Sequence, residues 1–315
     1  MATRLTTSQH LLWMGEQIDP GTPLYNMVFA WFLRGEINPS AFQQAFEQLL
    51  QQSDALRLTF NERDGTPYQA DNENHKAQLE LLDFSGASEP RTEFYQWART
   101  QAQQPFDLSQ QAYHAALVKL ARAEYVWYLN QHHLITDAGS CEVLFQRMSQ
   151  LYLQAVERQP ADQSLQTEQA AATDFLDYVQ FEHTQQEQPT TQQAIDYWRS
   201  QLRPQASSLA FYGHSGAQKP VQSRRVALAL STEQSTKLKP VATRAEMRAL
   251  TEHLSLFNLF AALLIALLSR VTGEPVQRLG ILLHNRATPR LRATAGMLIE
   301  VCPLALQVDD HDSLQ

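Results

Sequence analysis

A chain of 315 residues with 43% hydrophobic and 18% charged side chains reads as globular, and it is long enough for two packed cores. Its formal net charge of −8, with no Lys/Arg stripe, argues against a nucleic-acid partner. Two cysteines, Cys141 and Cys302, cannot build a disulfide framework of the secreted kind. The first apolar run, Leu11-Leu12-Trp13-Met14, is cut short by Gly15-Glu16, so a reducing cytoplasm is the expected compartment.

In chain order, Leu5 to Glu16 reads as a short helix with Thr6, Thr7 and Ser8 available as caps. Residues 25–33, rich in aromatic and β-branched types, predict a buried strand. Asn38-Pro39 opens a helix with Phe42, Ala45, Phe46, Leu49 and Leu50 on one face. Leu56 to Phe60 alternates at period two, and Asp64-Gly65 supplies the turn after it. A helix over about 89–103 and strands near 113–120 and 124–133 follow. On that last strand Tyr125, Trp127, Leu129, Gln131 and His133 share one side, and Val126, Tyr128, Asn130 and His132 the other. Beyond Gly139-Ser140, Leu144, Met148, Leu151, Tyr152 and Ala155 recur at helical spacing.

The stretch 159–194, poor in apolar residues and dense in Gln, Thr and Ala, reads as linker interrupted by a short amphipathic helix around Phe175, Tyr178 and Phe181. After it come a helix over 192–202, a strand at 224–230, a helix near 232–248 and a strand at 278–284. Residues 254–268 approach the apolarity of a membrane span but fall short of it in length and carry Asn258. The expectation is a helix buried on all sides in a core, with no membrane span.

The segment His132-His133-Leu134-Ile135-Thr136-Asp137-Ala138-Gly139-Ser140 lies where the strand pattern gives way to a helix. Adjacent strand residues face opposite ways, so the two histidines can hardly share one metal, and no nearby set completes a zinc site. A Cys141–His nucleophile pair lacks an electropositive neighbour, and core packing accounts better for that thiol. What remains is base chemistry by a neutral imidazole. Asp137 is too constrained by its tight turn to be assumed a triad partner. An ion pair with an arginine suits it better, with Arg57 and Arg286 as candidates. Spacing alone leaves a bland alternative open, in which both histidines are satisfied core residues and Asp137 is an N-cap. For His132 the bland reading is preferred.

Together these residues resemble the condensation domains of nonribosomal peptide synthetases, in the wider HxxxD acyltransferase group with the chloramphenicol acetyltransferase fold. The hallmark HHxxxDG stands here as HHLITDA. Weaker likenesses run in family order. Thr7-Ser8-Gln9 with Leu12-Trp13 and Tyr25-Asn26 resembles the opening motif, and Ser53 to Phe60 resembles RHExLRTxF. Pro105-Phe106-Asp107-Leu108 follows, and Asp174-Phe175 through Gln180 resembles YxDFAVW. Tyr197-Trp198 with Leu202, Asn285-Arg286, and Gly296-Met297-Leu298-Ile299 beside GxFVN complete the series. Ala138 replaces the motif glycine, which narrows the space beside the reacting centre. The likeness stops soon after Pro303-Leu304, where family members continue. The expectation is therefore an incomplete second lobe with an open sheet edge and an exposed apolar face.

The resemblance implies an α/β (α+β) fold of two chloramphenicol acetyltransferase-like lobes forming a V. Expected boundaries are an N-terminal lobe over 1–165, a linker over 166–192 and a partial second lobe over 193–315. It implies an acyltransferase that joins a donor thioester and an amine acceptor, both tethered to carrier proteins, with His133 as base or positioning group. His132, Asp137, Arg57 and Arg286 are the supporting residues. No cofactor is expected on the domain itself, because 4'-phosphopantetheine is presented by the donor and acceptor carriers. Neighbouring synthetase modules are the further partners. The competing readings are an HxxxD acyltransferase using acyl-CoA or forming an ester, an epimerising relative, and a catalytically impaired carrier-docking module. A starter role is an expectation of a chain that begins a few residues before its first motif.

Overall fold

The computed structural model describes residues 2–157, 174–202, 226–245 and 248–309. Strand β1 (Ala2–Arg4) leads into helix α1 (Thr7–Ile18), opened by a reciprocal capping box between Thr6 and Gln9 that satisfies two otherwise orphaned amides. Strand β2 (Asn26–Arg34) is followed by α2 (Pro39–Gln51), with Asn38 capping the Ser40 and Ala41 amides as its sequence predicts. A 3-10 turn over Asp54–Arg57 precedes the hairpin of β3 (Leu58–Arg63) and β4 (Thr66–Asp71). Asp64 and Gly65 both take positive φ, 53° and 75°, which matches the hairpin turn to the right-handed twist of its strands.

Next come β5 (Leu79–Asp83), α3 (Pro90–Ala102), β6 (Tyr113–Ala121) and β7 (Glu124–His132). A 3-10 turn over His133–Ile135 then leads to α4 (Ala138–Glu157). The rest comprises α5 (Phe175–Gln186), α6 (Pro189–Gln201), α7 (Thr232–Ala242), α8 (Glu252–Thr272), β8 (Val276–Leu283), α9 (Pro289–Arg292) and β9 (Glu300–Gln307).

The strand that ends at the histidines lies inside a four-stranded sheet of order β2-β7-β6-β5, antiparallel except for the parallel β5–β6 pair. Its two faces are both covered. Tyr125, Trp127 and Leu129 face a large core with Phe42, Phe46 and Leu49 of α2 and Leu144, Met148 and Leu151 of α4. Val126 and Tyr128 face a smaller core closed by Phe94 of α3. The alternation read from the sequence is therefore the alternation observed. A separate three-stranded sheet, β1-β4-β3, contains the hairpin.

Two compact units divide the chain, one of Met1–Gln201 with His284–Glu300 and the other of Leu202–Leu283 with Val301–Gln315. This differs from the expected boundaries at both ends of the supposed linker. Residues 158–173 of that linker lie outside the described residues. Helix α5 beyond them is no spacer, since Phe175, Tyr178 and Val179 are buried in the large core of the first unit. Phe181, read as part of the same apolar face, points to solvent. Burial on three side chains turns a Gln-rich segment into part of the domain.

The second unit corrects two further expectations. Residues 226–230 form no strand, and 224 and 225 lie outside the described residues. With no partner strand alongside, Val226 and Leu228 are exposed. Helix α8 is not enclosed on all sides. Ser255, Leu259, Ile265 and Leu268 are buried, whereas Leu254, Phe257, Phe260, Leu263, Leu264 and Leu267 are exposed. Its packing partners are α7 and β8, and the two-stranded sheet β8-β9 is too narrow to cover a 21-residue helix. The expected exposed apolar face is present. Among the described residues this is the helix long and apolar enough to cross a membrane by length and composition.

Gly296 shows how tightly the returning segment is fitted to the first unit. Its φ is +148°, and a Cβ there would lie 2.1 Å from the ring of Phe175, a fully buried residue. Gly296→Ala is expected to cost about 2 kcal/mol or more through overpacking and backbone strain, read as a lowered midpoint in thermal or chemical unfolding.

Candidate active site

His133 opens the 3-10 turn, one residue beyond the His132 on which β7 ends, rather than lying on the strand itself as its sequence pattern predicts. Its backbone N–H donates to Tyr25 O at 2.8 Å, so β2's approach segment fixes where the residue sits. The side chain is half-buried. Its Nδ1 is buried and has no hydrogen-bond partner. His132 belongs to a different environment: it is 3% exposed and edge-on to the rings of Tyr25 and Phe106. Its Nδ1 accepts the Leu134 N–H at 3.2 Å. The first histidine thus braces the turn through Nδ1, whereas its Nε2 is buried and has no hydrogen-bond partner among the described residues.

Asp137 caps α4 and does much more. One carboxylate oxygen, Oδ1, accepts the Ser140 N–H at 2.7 Å and faces Arg286 Nη2 at 2.8 Å. The other, Oδ2, accepts from Arg286 Nη1 at 2.8 Å, from Leu298 N–H at 2.9 Å and from Ile299 N–H at 3.1 Å. The pair is buried, with side chains 1% and 7% exposed. Arg286 also donates to His284 O and Gly296 O, and Ser140 Oγ accepts the Gly296 N–H at 2.7 Å. Of the two arginines proposed for Asp137, the structure selects Arg286. Arg57 is committed elsewhere, in a two-pronged contact with Asp71 at 2.9 and 2.6 Å and with the carbonyls of Leu50 and Gln51. It is therefore a brace between α2 and β4 rather than a partner of the turn.

The turn's small residues have separable reasons. At Gly139 an added Cβ would lie 3.1 Å from Arg286 Cζ and Nη1, so this position must stay small for the guanidinium to lie against the first turn of α4. Ala138, where the family motif has glycine, is exposed. Cys141 is 1% exposed, and burial pushes its thiol up to about 12. A thiol held that high is almost wholly protonated at neutral pH and is no nucleophile.

Three supporting residues were given no role by the sequence, although Gln9 and Asp54 lie within its family-like motifs. Arg147 of α4 donates to Ser53 Oγ, Gln52 O and Ala293 O, tying the returning segment to α2, and burial holds its guanidinium below its ordinary range. Asp54 accepts the amides of Ala55, Phe175 and Leu176, anchoring α5. Burial nevertheless raises this carboxyl above its ordinary value. Gln9 of α1 donates to Leu134 O at 2.9 Å, reaching the histidine turn from behind. These contacts join distant parts of the chain, and no local spacing announces them.

The arrangement can do one thing chemically and not another. Asp137 commits both oxygens to backbone amides and a guanidinium, so it cannot orient His133 in the manner of a Ser-His-Asp triad. Arg286 neutralises it. What is left is a half-buried imidazole on the turn, with no carboxylate hydrogen-bonded to it among the described residues. Among the described residues no group of three His, Cys, Asp or Glu side chains is placed to hold a metal ion.

The sequence model of the condensation domain family matches residues 2–315. The chain belongs to the condensation domain family. Condensation domains are the peptide-bond-forming acyltransferases of nonribosomal peptide synthetases. Cyclosporin synthetase of Tolypocladium inflatum is 26% identical over 312 residues, covering 98% of this chain and 2% of that protein. The beauvericin nonribosomal cyclodepsipeptide synthetase of Beauveria bassiana is 26% identical over 315 residues, 98% of this chain and 9% of that protein. The chain therefore spans only a small part of the length of these curated relatives. Among solved structures, the starter condensation domain of rhizomide synthetase in complex with C8-CoA matches with a TM-score of 0.81 and 25% identity. That match covers 98% of this chain and 67% of the solved one. The first condensation domain of the calcium-dependent antibiotic synthetase, in complex with a substrate analogue, shares the fold at a TM-score of 0.80 and 21% identity, covering 100% and 72%.

This geometry makes two variants and one labelling experiment informative. Asp137→Ala leaves Arg286 buried without its carboxylate, at an expected cost of about 3–5 kcal/mol, seen as a lowered melting temperature accompanied by reduced turnover. The same loss is expected of Arg286→Ala, which strands the carboxylate instead. Cys141 is expected to stay unlabelled by iodoacetamide in native buffer at mildly alkaline pH and to label fully after denaturation, as peptide mass spectrometry would show.

Proposed function

We propose that this condensation domain forms an amide between a donor acyl or aminoacyl thioester and an amine acceptor, both delivered on carrier proteins, with His133 at the reacting centre. The observation that carries this reading is the position of His133: half-buried, anchored through its backbone to Tyr25 O, and free of any carboxylate partner. The neutral amine nitrogen bonds to the thioester carbonyl carbon, the carbon–sulfur bond breaks, and the proton shed by the nitrogen passes, directly or by way of the imidazole, to the departing sulfur, which leaves as the thiol. An α-amine with a pKa of about 8 is mostly protonated at neutral pH, so the step needs a proton acceptor or a group that holds the neutral amine in place. An imidazole supplies either. Tethering of both substrates converts an encounter into an oriented, nearly unimolecular step.

On this reading the supporting residues act at a distance from the substrates. Asp137 and Arg286 hold the turn rigid, His132 caps it, and Arg57 braces the hairpin. The 4'-phosphopantetheine arms belong to the donor and acceptor carriers, and the domain contributes no cofactor. Neighbouring synthetase modules would supply those carriers, and the setting is cytoplasmic. A second reading has one specific support: the rhizomide synthetase starter domain was solved with C8-CoA. In that reading the donor is a coenzyme A thioester rather than a carrier.

The deciding experiment incubates the protein with an acyl-loaded carrier, or separately with octanoyl-CoA, and an aminoacyl-loaded acceptor carrier, then weighs the products by mass spectrometry. Amide formation from loaded carrier is the expected result, and His133→Ala should lower it about 10²–10⁴-fold while leaving the melting temperature near that of the parent. Carrier binding with no amide from either donor would make this a docking module. Unchanged product formation by His133→Ala would remove the imidazole from the chemistry.

A further inference from the structure

Behind the histidine turn stands α1, and it meets the turn at three places. Gln9 Nε2 donates to Leu134 O at 2.9 Å. Gly15 leaves room for Tyr25: a Cβ there would lie 2.0 Å from the tyrosine hydroxyl, and Tyr25 O receives the His133 N–H. The third contact is between two ionisable groups. Glu16 Oε2 lies 3.5 Å from His132 Nε2, with side chains 12% and 3% exposed. Each of these two atoms is buried, and neither has a hydrogen-bond partner among the described residues, the other atom included.

The proton inventory of His132 follows from its other nitrogen. Because Nδ1 accepts the Leu134 N–H, it carries no proton. A neutral imidazole has one N–H, so that proton sits on Nε2, the atom that faces Glu16. In the opposite tautomer two N–H groups would point at each other across the turn, and the Leu134 amide would be left buried without an acceptor. A carboxylate beside Nε2 favours the tautomer that keeps this bond. The two residues that Nδ1 links, His132 and Leu134, are the ones that flank His133 in sequence.

We propose that Glu16 is a positioning residue for amide formation: facing His132 Nε2, it selects the ring tautomer that accepts the Leu134 N–H and thereby holds the turn on which His133 is presented. Glu16 touches no substrate in this scheme. The proposal deepens the assignment of His133 and rests on it.

The test combines turnover with a spectroscopic reading of His132. In 15N-histidine-labelled protein, with the His132 signals assigned by difference against His132→Asn, the parent should show one tautomer, with the proton on Nε2. Glu16→Ala should show mixed tautomers at His132 and a kcat lowered about 10-fold, with KM for the loaded carriers within about twofold. Glu16→Gln, whose amide oxygen can still face Nε2–H, should recover most of that loss. Glu16→Leu, similar in size but without an acceptor, serves in place of the alanine variant should that fail to fold. A His132 tautomer unchanged in the variant without an acceptor, Glu16→Ala or Glu16→Leu, or a kcat there equal to the parent's, would overturn the proposal. The spectra need no substrate, so an inactive parent would defeat the amide-forming assignment while the tautomer still decides what Glu16 does.

Discussion

The buried pair of Asp137 and Arg286 is the interaction on which the rest of the site depends. Two charges removed from water cost several kcal/mol each, and they persist only where geometry and additional hydrogen bonds offset that cost. Here both conditions hold. The carboxylate engages the guanidinium twice and three backbone amides besides. The guanidinium also donates to two carbonyls. One ion pair thus fixes the start of α4, the returning segment around Leu298 and, through the turn between β7 and α4, the direction in which His133 leaves the sheet.

That division of labour shapes the chemistry. A carboxylate that oriented the imidazole would stabilise imidazolium and push the histidine towards strong general base catalysis. With its carboxylate consumed by structure, the site offers an imidazole on a turn held by the Asp137–Arg286 pair. Such a group suits a reaction in which the nucleophile is an amine and the electrophile an already activated thioester. On the proposed reading, placement would supply more of the acceleration than basicity does.

Much of this was legible in the sequence because it is local. The β7 alternation, the Asn38-Pro39 helix start and the Asp64-Gly65 turn are written in neighbouring residues and recur in the structure. The Asp137–Arg286 partnership was legible for a different reason: a tightly held aspartate needs a cation, and the family likeness marked Arg286 alongside Arg57. Proximity in space chose between them. What escaped were contacts between distant segments. Glu16 beside His132, Arg147 on Ala293 and Asp54 on the first amides of α5 leave no period or spacing. The Gln-rich composition around α5 disguised a helix whose docking rests on three side chains. In α8 the error was of another kind: apolarity reports that a surface wants cover, not which element provides it.

The path of the backbone has a consequence for how the protein can be dissected. Residues 284–300 belong with the first unit, although the chain on either side of them belongs with the second. A polypeptide ending near Gln201 would contain the histidines, the aspartate and the whole four-stranded sheet, and would still lack the guanidinium that neutralises that aspartate. The amides of Leu298 and Ile299 would be missing too. Autonomy of the first unit is therefore denied by the chain's route rather than by any shortage of core, and the smallest self-sufficient piece must run through the second unit's segment and back.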